Sequence, residues 1–202
     1  ENNKPELKQF SCEGCGACEL VCAKDAITLV NVDNAKIGYA KTKYDFKVVS
    51  AQLGIGESGS GKVVSAVKEL GDKLSENSDF MLIDAAAGIG CPVIASVTGS
   101  DYVIAITEPT PSGFSDLKRA LKMVNHFKIP KSVIINKYDI NLDFSKKIEK
   151  YLIENNLKLT SKIKYDKSFS DALMNLVPVI EQNEEFLNVF QKIYVDLSKE
   201  IF

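Results

Sequence analysis

The chain has 202 residues, of which 45% are hydrophobic and 26% charged, and its formal net charge is −2. This composition is typical of a globular chain that can bury a proper core, and the near-neutral charge offers no electrostatic footprint for nucleic acid. No apolar run approaches the ~18 residues that a membrane span needs, so we expect neither a nucleic-acid partner nor a membrane span.

Four of the five cysteines fall within a short segment near the start of the chain. The segment CEGCGACELVC places Cys12, Cys15, Cys18 and Cys22 in the spacing C-x2-C-x2-C-x3-C. Thiolates two residues apart, separated by small residues, let the backbone wrap closely around an iron–sulfur cubane. The alternative, a zinc site, usually has two separated C-x-x-C pairs. The spacing therefore predicts that these four cysteines ligate a [4Fe–4S] cluster.

The fourth cysteine leaves two arrangements open. In this kind of run the fourth thiolate normally ligates a second cluster, yet the chain contains no second run. Cys22 therefore either closes the local cluster or ligates another one. Ala23 follows it, where the motif usually has Pro.

The cysteine run leads into a short predicted strand, AITLV at residues 26–30, and then a turn-rich stretch at 31–46 that suits a hairpin. Here we predict a domain boundary, with a ferredoxin-type [4Fe–4S] half-domain at 1–44 and an α/β domain at 45–202.

Beyond residue 44, apolar strands alternate with amphipathic segments, which indicates an α/β fold with a mostly parallel sheet flanked by helices. Strands are predicted in FKVVSAQL, FMLID, YVIAIT and SVIIN, with a weaker one in KLTSKIKY. Helices are predicted at about residues 61–74, 112–127, 144–155, 168–175 and 184–200.

Two strand ends carry candidate nucleotide-binding residues. FMLID ends in Asp84, and a carboxylate at that position can hold Mg²⁺ as in a Walker B motif, although it could also cap a helix. SVIINKYD places Asn136, Lys137 and Asp139 after another strand, where an amide and a carboxylate can read the edge of a purine. The alternative for the second group is a capped turn.

From Cys12 onward the sequence resembles the MinD/ParA-type ATPases that carry an inserted ferredoxin domain, within a wider group that includes Mrp-type iron–sulfur carriers. The matching stretches are the cysteine run, VVSAQLGIGESGSGKVV, LIDAAAGIGCPVIASVTGSDYVIAITEPTPSGFSDL and IPKSVIINKYDIN. The resemblance implies an incomplete P-loop NTPase domain of the SIMIBI type. It also implies binding of ATP/ADP with Mg²⁺ at Asp84, γ-phosphate sensing by Gly88 and adenine recognition by Asn136.

The resemblance further implies a cytoplasmic protein that is a homodimer when intact and has a redox partner or a recipient for its iron–sulfur cluster. The family's phosphate loop and first cysteine run precede the part that this sequence matches, and the chain begins with Glu rather than Met. We therefore expect that the chain is truncated at its N-terminus. It also departs from the family in having Ala85–Ala87 where Gly-Pro-Pro is usual, and Lys164 where Pro is common.

One segment of this chain, LGIGESGSGKVVSAV, resembles a phosphate loop in its spacing. Gly56 to Lys62 fits G-x-x-x-x-G-K, but Val63 stands where that loop needs Ser or Thr for Mg²⁺. We expect a false match, with a lesser phosphate or switch-like role and a plain flexible turn as the alternatives. Cys91, in GIGCP, is expected to be a small buried residue, with a redox or cluster-related thiol as the alternative.

The expected function is a nucleotide-binding protein that couples ATP binding and hydrolysis to electron transfer, or to the assembly and delivery of iron–sulfur clusters. This chain by itself is expected to hydrolyse little ATP. One rival is a non-catalytic electron carrier or cluster scaffold whose α/β part is a docking platform. Another replaces ATP with GTP, because N-K-x-D is also the guanine-reading pattern of GTPases.

Overall fold

The computed structural model of the chain describes residue 6 and residues 12–57, 59–76 and 78–201. The chain divides between Thr98 and Gly99 into two compact units. This division lies at another place in the chain than the domain boundary that we predict at residue 44, and that boundary stays a prediction. Within the described ranges, no helix is both long enough and apolar enough to cross a membrane.

The first unit combines a β-hairpin with helices. Its elements are α1 (Ala17–Leu20), β1 (Ala35–Lys41), β2 (Lys47–Leu53), α2 (Gly61–Leu74) and α3 (Cys91–Val97). The strands β1 and β2 pair antiparallel, from Ala35 opposite Leu53 to Lys41 opposite Lys47. A hairpin is therefore present as predicted, but its second strand lies at 47–53, beyond the stretch 31–46 in which the hairpin was expected.

Helix α2 is tied to its neighbours by two lysines that donate to helix-end carbonyls. Lys47, at the start of β2, donates to the carbonyl oxygen of Leu74 at 3.2 Å. Lys68 donates to three carbonyl oxygens at the end of α3, at distances between 2.6 and 3.1 Å. Because the last carbonyls of a helix have no partner within the helix, these ammonium groups satisfy acceptors that would otherwise need water.

The second unit is a three-layer α/β arrangement. Its elements are β3 (Val103–Thr107), α4 (Pro111–His126), β4 (Lys131–Asn136), α5 (Leu142–Glu154), β5 (Lys158–Ile163), α6 (Ser168–Met174) and α7 (Glu184–Ile201). The three strands are parallel in the order β3-β4-β5. The predicted parallel sheet flanked by helices is thus confirmed for this part of the chain.

The central strand β4 is buried on both faces. Val133 and Ile135 have no exposed surface and belong to a cluster with Leu121 of α4 and Ile148 of α5. Ile134, between them, belongs to a second cluster that includes residues of α7. Successive strand residues point to opposite faces, so one apolar strand supports helices on both sides of the sheet.

Two strand predictions are wrong, and a third predicted strand lies in a different sheet from the one expected. Residues 26–30 and 80–84 form no strand, and residues 46–53 lie in the antiparallel hairpin instead of a parallel sheet. In the second of these segments Phe80 is 55% exposed and Leu82 is 81% exposed. An apolar run shows that a segment can be covered, but a strand also requires a neighbouring backbone to bond with. Within the described ranges, neither 26–30 nor 80–84 belongs to a strand ladder.

The two-sided burial of β4 predicts a large difference between two isoleucines of the same sheet. Ile135→Ala should lower the free energy of unfolding by about 2–5 kcal/mol, because it leaves a cavity in a fully buried site. Ile106→Ala, on β3, should cost less than about 1 kcal/mol because Ile106 is 66% exposed. Urea unfolding followed by circular dichroism measures both, and equal losses would contradict the packing described.

Candidate nucleotide site and cysteine loop

Polar side chains gather where β3 and β4 end. Glu108 follows β3 directly, and Asn136 is the last residue of β4. The Nζ atom of Lys137 lies 2.7 Å from Oε1 of Glu108, and both side chains are about 40% exposed. The carboxyl ends of parallel strands are where α/β proteins commonly bind ligands. The structure therefore brings Glu108, which the sequence also suggests as a nucleotide contact or a structural strand-end residue, together with the predicted residues Asn136 and Lys137.

The chain turns sharply as it leaves β4. Lys137 has a φ of 52°, in the left-handed region, and its N–H donates to Oδ1 of Asn136 at 3.1 Å. A short 3₁₀ turn, Tyr138–Asn141, follows. Asn136 therefore holds the turn through its own side-chain oxygen while remaining half-buried at the sheet edge.

Asp139 makes a contact that sequence reasoning missed. Its Oδ1 atom accepts the backbone N–H of Tyr165 at 2.7 Å. Tyr165 lies just beyond β5, so the carboxylate joins the exits of two neighbouring strands. No sequence signal links Asp139 with a residue so far along the chain. A structural role of this kind competes with the predicted contact between Asp139 and a nucleotide base.

The residues that follow β5 are held in place by interactions of charged side chains. Lys164 lies 2.9 Å from Glu185 of α7, and this hydrogen bond raises the pKa of Lys164. The pKa of Asp166 is lowered because the hydroxyl and the N–H of Ser168 both bond to it. Lys164, which stands where the resembling family commonly has Pro, thus links β5 to α7.

Gly113 is a second residue that sequence reasoning missed. A Cβ atom at Gly113 would lie 2.7 Å from the carbonyl oxygen of Glu108, closer than real atoms approach. The N–H of Gly113 donates to Oγ1 of Thr110, which caps α4, at 3.0 Å. The glycine lets α4 begin directly against the turn that carries Glu108. The cap-like order of residues in TPSG is the signal that could have indicated it.

Asp84 and Gly88 lie in the first unit, in a stretch without regular structure. Both residues are exposed, and Gly88 has a φ of 103° with open space where a Cβ atom would lie. The structure supplies no strand end for Asp84, so the Walker B geometry expected there is not present. The Mg²⁺ role of Asp84 and the γ-phosphate role of Gly88 stay predictions.

The loop from Gly56 to Lys62 follows a strand of the antiparallel hairpin. At its end, Oγ of Ser60 accepts the N–H of Val63 at 3.4 Å and caps α2. A phosphate loop needs the free N–H groups of the helix start to face an anion at the edge of a parallel sheet. The preceding strand pairs antiparallel, so the second condition does not hold here, which supports the expectation of a false match.

A groove of about 500 Å³ runs between the start of α2 and α3. Its lining includes Gly61, Lys62, Glu69 and Cys91. A Cβ atom on Gly61 would lie 3.1 Å from the carbonyl oxygen of Cys91, so the two helices approach each other closely at this point. Cys91 is exposed on the groove, contrary to the expectation that it is buried.

The cysteine loop has some of the features that an iron–sulfur cluster requires. The cysteines are free thiols, and Gly14 and Gly16 adopt left-handed φ values of 64° and 79°. Sγ of Cys22 accepts the N–H of Ala26 at 3.3 Å. This bond and further backbone N–H groups lower the pKa of Cys22, which favours the thiolate that binds metal.

The four thiols do not form a closed metal site in the conformation described. Within the described ranges, no three cysteine, histidine or carboxylate side chains are gathered closely enough to hold a metal ion. The donor chemistry therefore fits a cluster, whereas the placement of the four sulfur atoms does not show one.

Comparisons with known proteins indicate the fold. No protein-family model matches the chain. It resembles the cell-division ATPase MinD of Pyrococcus furiosus with a TM-score of 0.54 and 18% identity, over 69% of this chain and 58% of that one. The α/β fold is similar to that of MinD. At this level of identity the likeness extends to the fold alone.

Curated relatives are proteins of Methanocaldococcus jannaschii. An uncharacterised protein is 33% identical over 173 residues, which cover 82% of this chain and 62% of the relative. A second uncharacterised protein is 29% identical, covering 76% of this chain and 51% of the relative. An uncharacterised ATP-binding protein is 24% identical, covering 63% and 50%. The chain thus spans between half and two thirds of the length of these relatives.

The contact between Asp139 and Tyr165 predicts an effect on stability. Asp139→Ala should lower the free energy of unfolding by about 1–2 kcal/mol, because the N–H of Tyr165 loses a charged acceptor. Asp139→Asn should retain most of that stability, since the amide oxygen can still accept. Asp101→Ala, at an exposed bend before β3, serves as the control for loss of a carboxylate. Urea unfolding measures all three, and similar values for Asp139→Ala and Asp101→Ala would refute the structural role.

Proposed function

We propose that this chain is the nucleotide-binding part of a MinD/ParA-type ATPase that also holds a [4Fe–4S] cluster. Its activity would couple ATP to electron transfer or to the delivery of iron–sulfur clusters. The observation that carries the nucleotide part is the meeting of Glu108, Asn136 and Lys137 at the carboxyl edge of a parallel sheet similar to that of MinD. The relative named as an ATP-binding protein supports the same choice.

Each residue at the sheet edge has a distinct task in this proposal. The amide of Asn136 recognises the edge of adenine, and the stem of Lys137 lies across the ring while Glu108 holds its ammonium group. Asp139 bonds to the backbone of Tyr165, which favours a structural role over guanine recognition and therefore ATP over GTP. Asp84 would hold Mg²⁺, and the N–H of Gly88 would contact the γ-phosphate.

The cysteines supply the redox part. Cys12, Cys15 and Cys18 would ligate the cluster, and Cys22 would close it or ligate a second cluster. A bound cluster supplies a site for reversible one-electron transfer. The backbone N–H groups around Cys22 favour its thiolate form, and free thiols suit the reducing cytoplasm. A homodimer and a redox partner or cluster recipient complete the proposal for the intact protein.

Nucleotide binding by the full-length protein tests the first part. Asn136→Ala should weaken binding of ATP in the presence of Mg²⁺ by about tenfold, because a specific hydrogen bond to the base is lost. Asn125→Ala, exposed near the opposite end of α4, is the matched control and should bind ATP normally. Titration calorimetry with ATP and with GTP measures both. Tighter binding of GTP than of ATP would contradict the adenine assignment.

Reconstitution with iron and sulfide tests the second part. The full-length protein should gain the absorption and the iron and sulfide content of a [4Fe–4S] cluster, and Cys15→Ser should lose most of that content. Cys91→Ser should take up as much iron as the unmodified protein, since Cys91 lies outside the cysteine run. If the protein takes up the cluster but binds no nucleotide, a non-catalytic carrier or scaffold is the better description.

A further inference from the structure

Lys62 has a position that neither the nucleotide site nor the cysteine ligands explain. A Cβ atom built on Gly14 would lie 3.9 Å from Nζ of Lys62, so the ammonium group lies beside the cysteine loop. Within the described residues, the side chain of Lys62 forms no hydrogen bond and no ion pair. No described carboxylate therefore pairs with its positive charge.

The backbone around Lys62 fixes the place where this charge is held. Lys62 is the second residue of the 14-residue helix α2, whose start is capped by Ser60. The preceding residue, Gly61, lies close to the carbonyl oxygen of Cys91, and a Cβ atom added there, at 3.1 Å, would require its neighbour to shift by a few tenths of an ångström. Helix α2 therefore begins at a defined position, and Lys62 extends from its first turn to Gly14.

We propose that Lys62 is a positioning residue for the redox site, one that stabilises the reduced state of the cluster held by the cysteine loop. This role rests on the proposed function, because it requires the cluster. It also assigns a role to the segment from Gly56 to Lys62, which has the spacing of a phosphate loop, because Lys62 lies beside the cysteine loop.

The physical basis is electrostatic. One-electron reduction adds one negative charge to the cysteine loop and its cluster, and neither forms nor breaks a bond. Lys62 attracts that added charge, so it stabilises the reduced form more than the oxidised form. The partial positive charge at the start of α2 acts in the same direction. Lys62 thus sets the balance between the two forms without ligating metal.

A redox titration of the reconstituted full-length protein, with a chemical reductant as the electron source, tests the proposal. Lys62→Gln should lower the ratio of reduced to oxidised protein at a fixed potential by about twofold to thirtyfold. Two unit charges separated by roughly 8 Å interact with this strength at dielectric constants between those of water and of a protein surface. Lys62→Arg should retain the ratio, because it keeps the charge.

Lys73→Gln is the matched control. Lys73 lies in the last turn of the same helix, about 16 Å further along its axis, and the substitution removes the same charge. It should leave the ratio unchanged. The difference between Lys62→Gln and the unmodified protein should also shrink in 1 M salt, where charges are screened over about 3 Å.

The outcomes separate the two proposals. If the unmodified protein takes up no cluster, the iron–sulfur part of the proposed function fails and the role of Lys62 fails with it. If the cluster forms but Lys62→Gln and Lys73→Gln have the same ratio, the role of Lys62 alone is refuted. A change in Lys62→Arg equal to that in Lys62→Gln, or a difference that salt does not reduce, would likewise overturn the electrostatic role.

Discussion

The burial of β4 on both faces is the constraint on which the second unit depends. Val133 and Ile135 face the helices α4 and α5, while Ile134 faces α7, so each face of the strand needs its own apolar cover. Because the strand cannot slide or rotate without exposing one of these clusters, its carboxyl end is fixed. Asn136 and Lys137 leave the sheet at that fixed point. The packing of the core therefore also fixes the position of the candidate nucleotide site.

The sequence predicted elements well where burial and capping agree. The apolar runs of β3 and β4 are flanked by helices. The N-caps of α4 and α5 are Thr110 and Asn141, whose side chains each accept an N–H group of the first turn. The run at 80–84 is just as apolar, yet it forms no strand. A hydrophobic pattern indicates which side chains need to be buried. Strand formation also depends on a hydrogen-bonding neighbour that the local sequence does not specify.

The candidate site was predictable in part for a similar reason. Asn136 and Lys137 follow a buried strand, and position alone takes them to the carboxyl edge of the sheet. The roles of Asp139 and Gly113 depend on atoms elsewhere, namely the N–H of Tyr165 and the carbonyl oxygen of Glu108. The N-K-x-D motif is the same whether its carboxylate binds a base or connects two loops. Only the spatial neighbours distinguish the two uses.

The segment from Gly56 to Lys62 extends this argument to glycine spacing. In a phosphate loop the glycines allow N–H groups to converge on an anion at the edge of a parallel sheet. Here the preceding strand belongs to an antiparallel hairpin, and Ser60 bonds to an N–H of the first turn of α2. Gly61 instead permits close contact with the Cys91 backbone. At Gly61 this spacing permits close packing against α3, and it places Lys62 beside the cysteine loop.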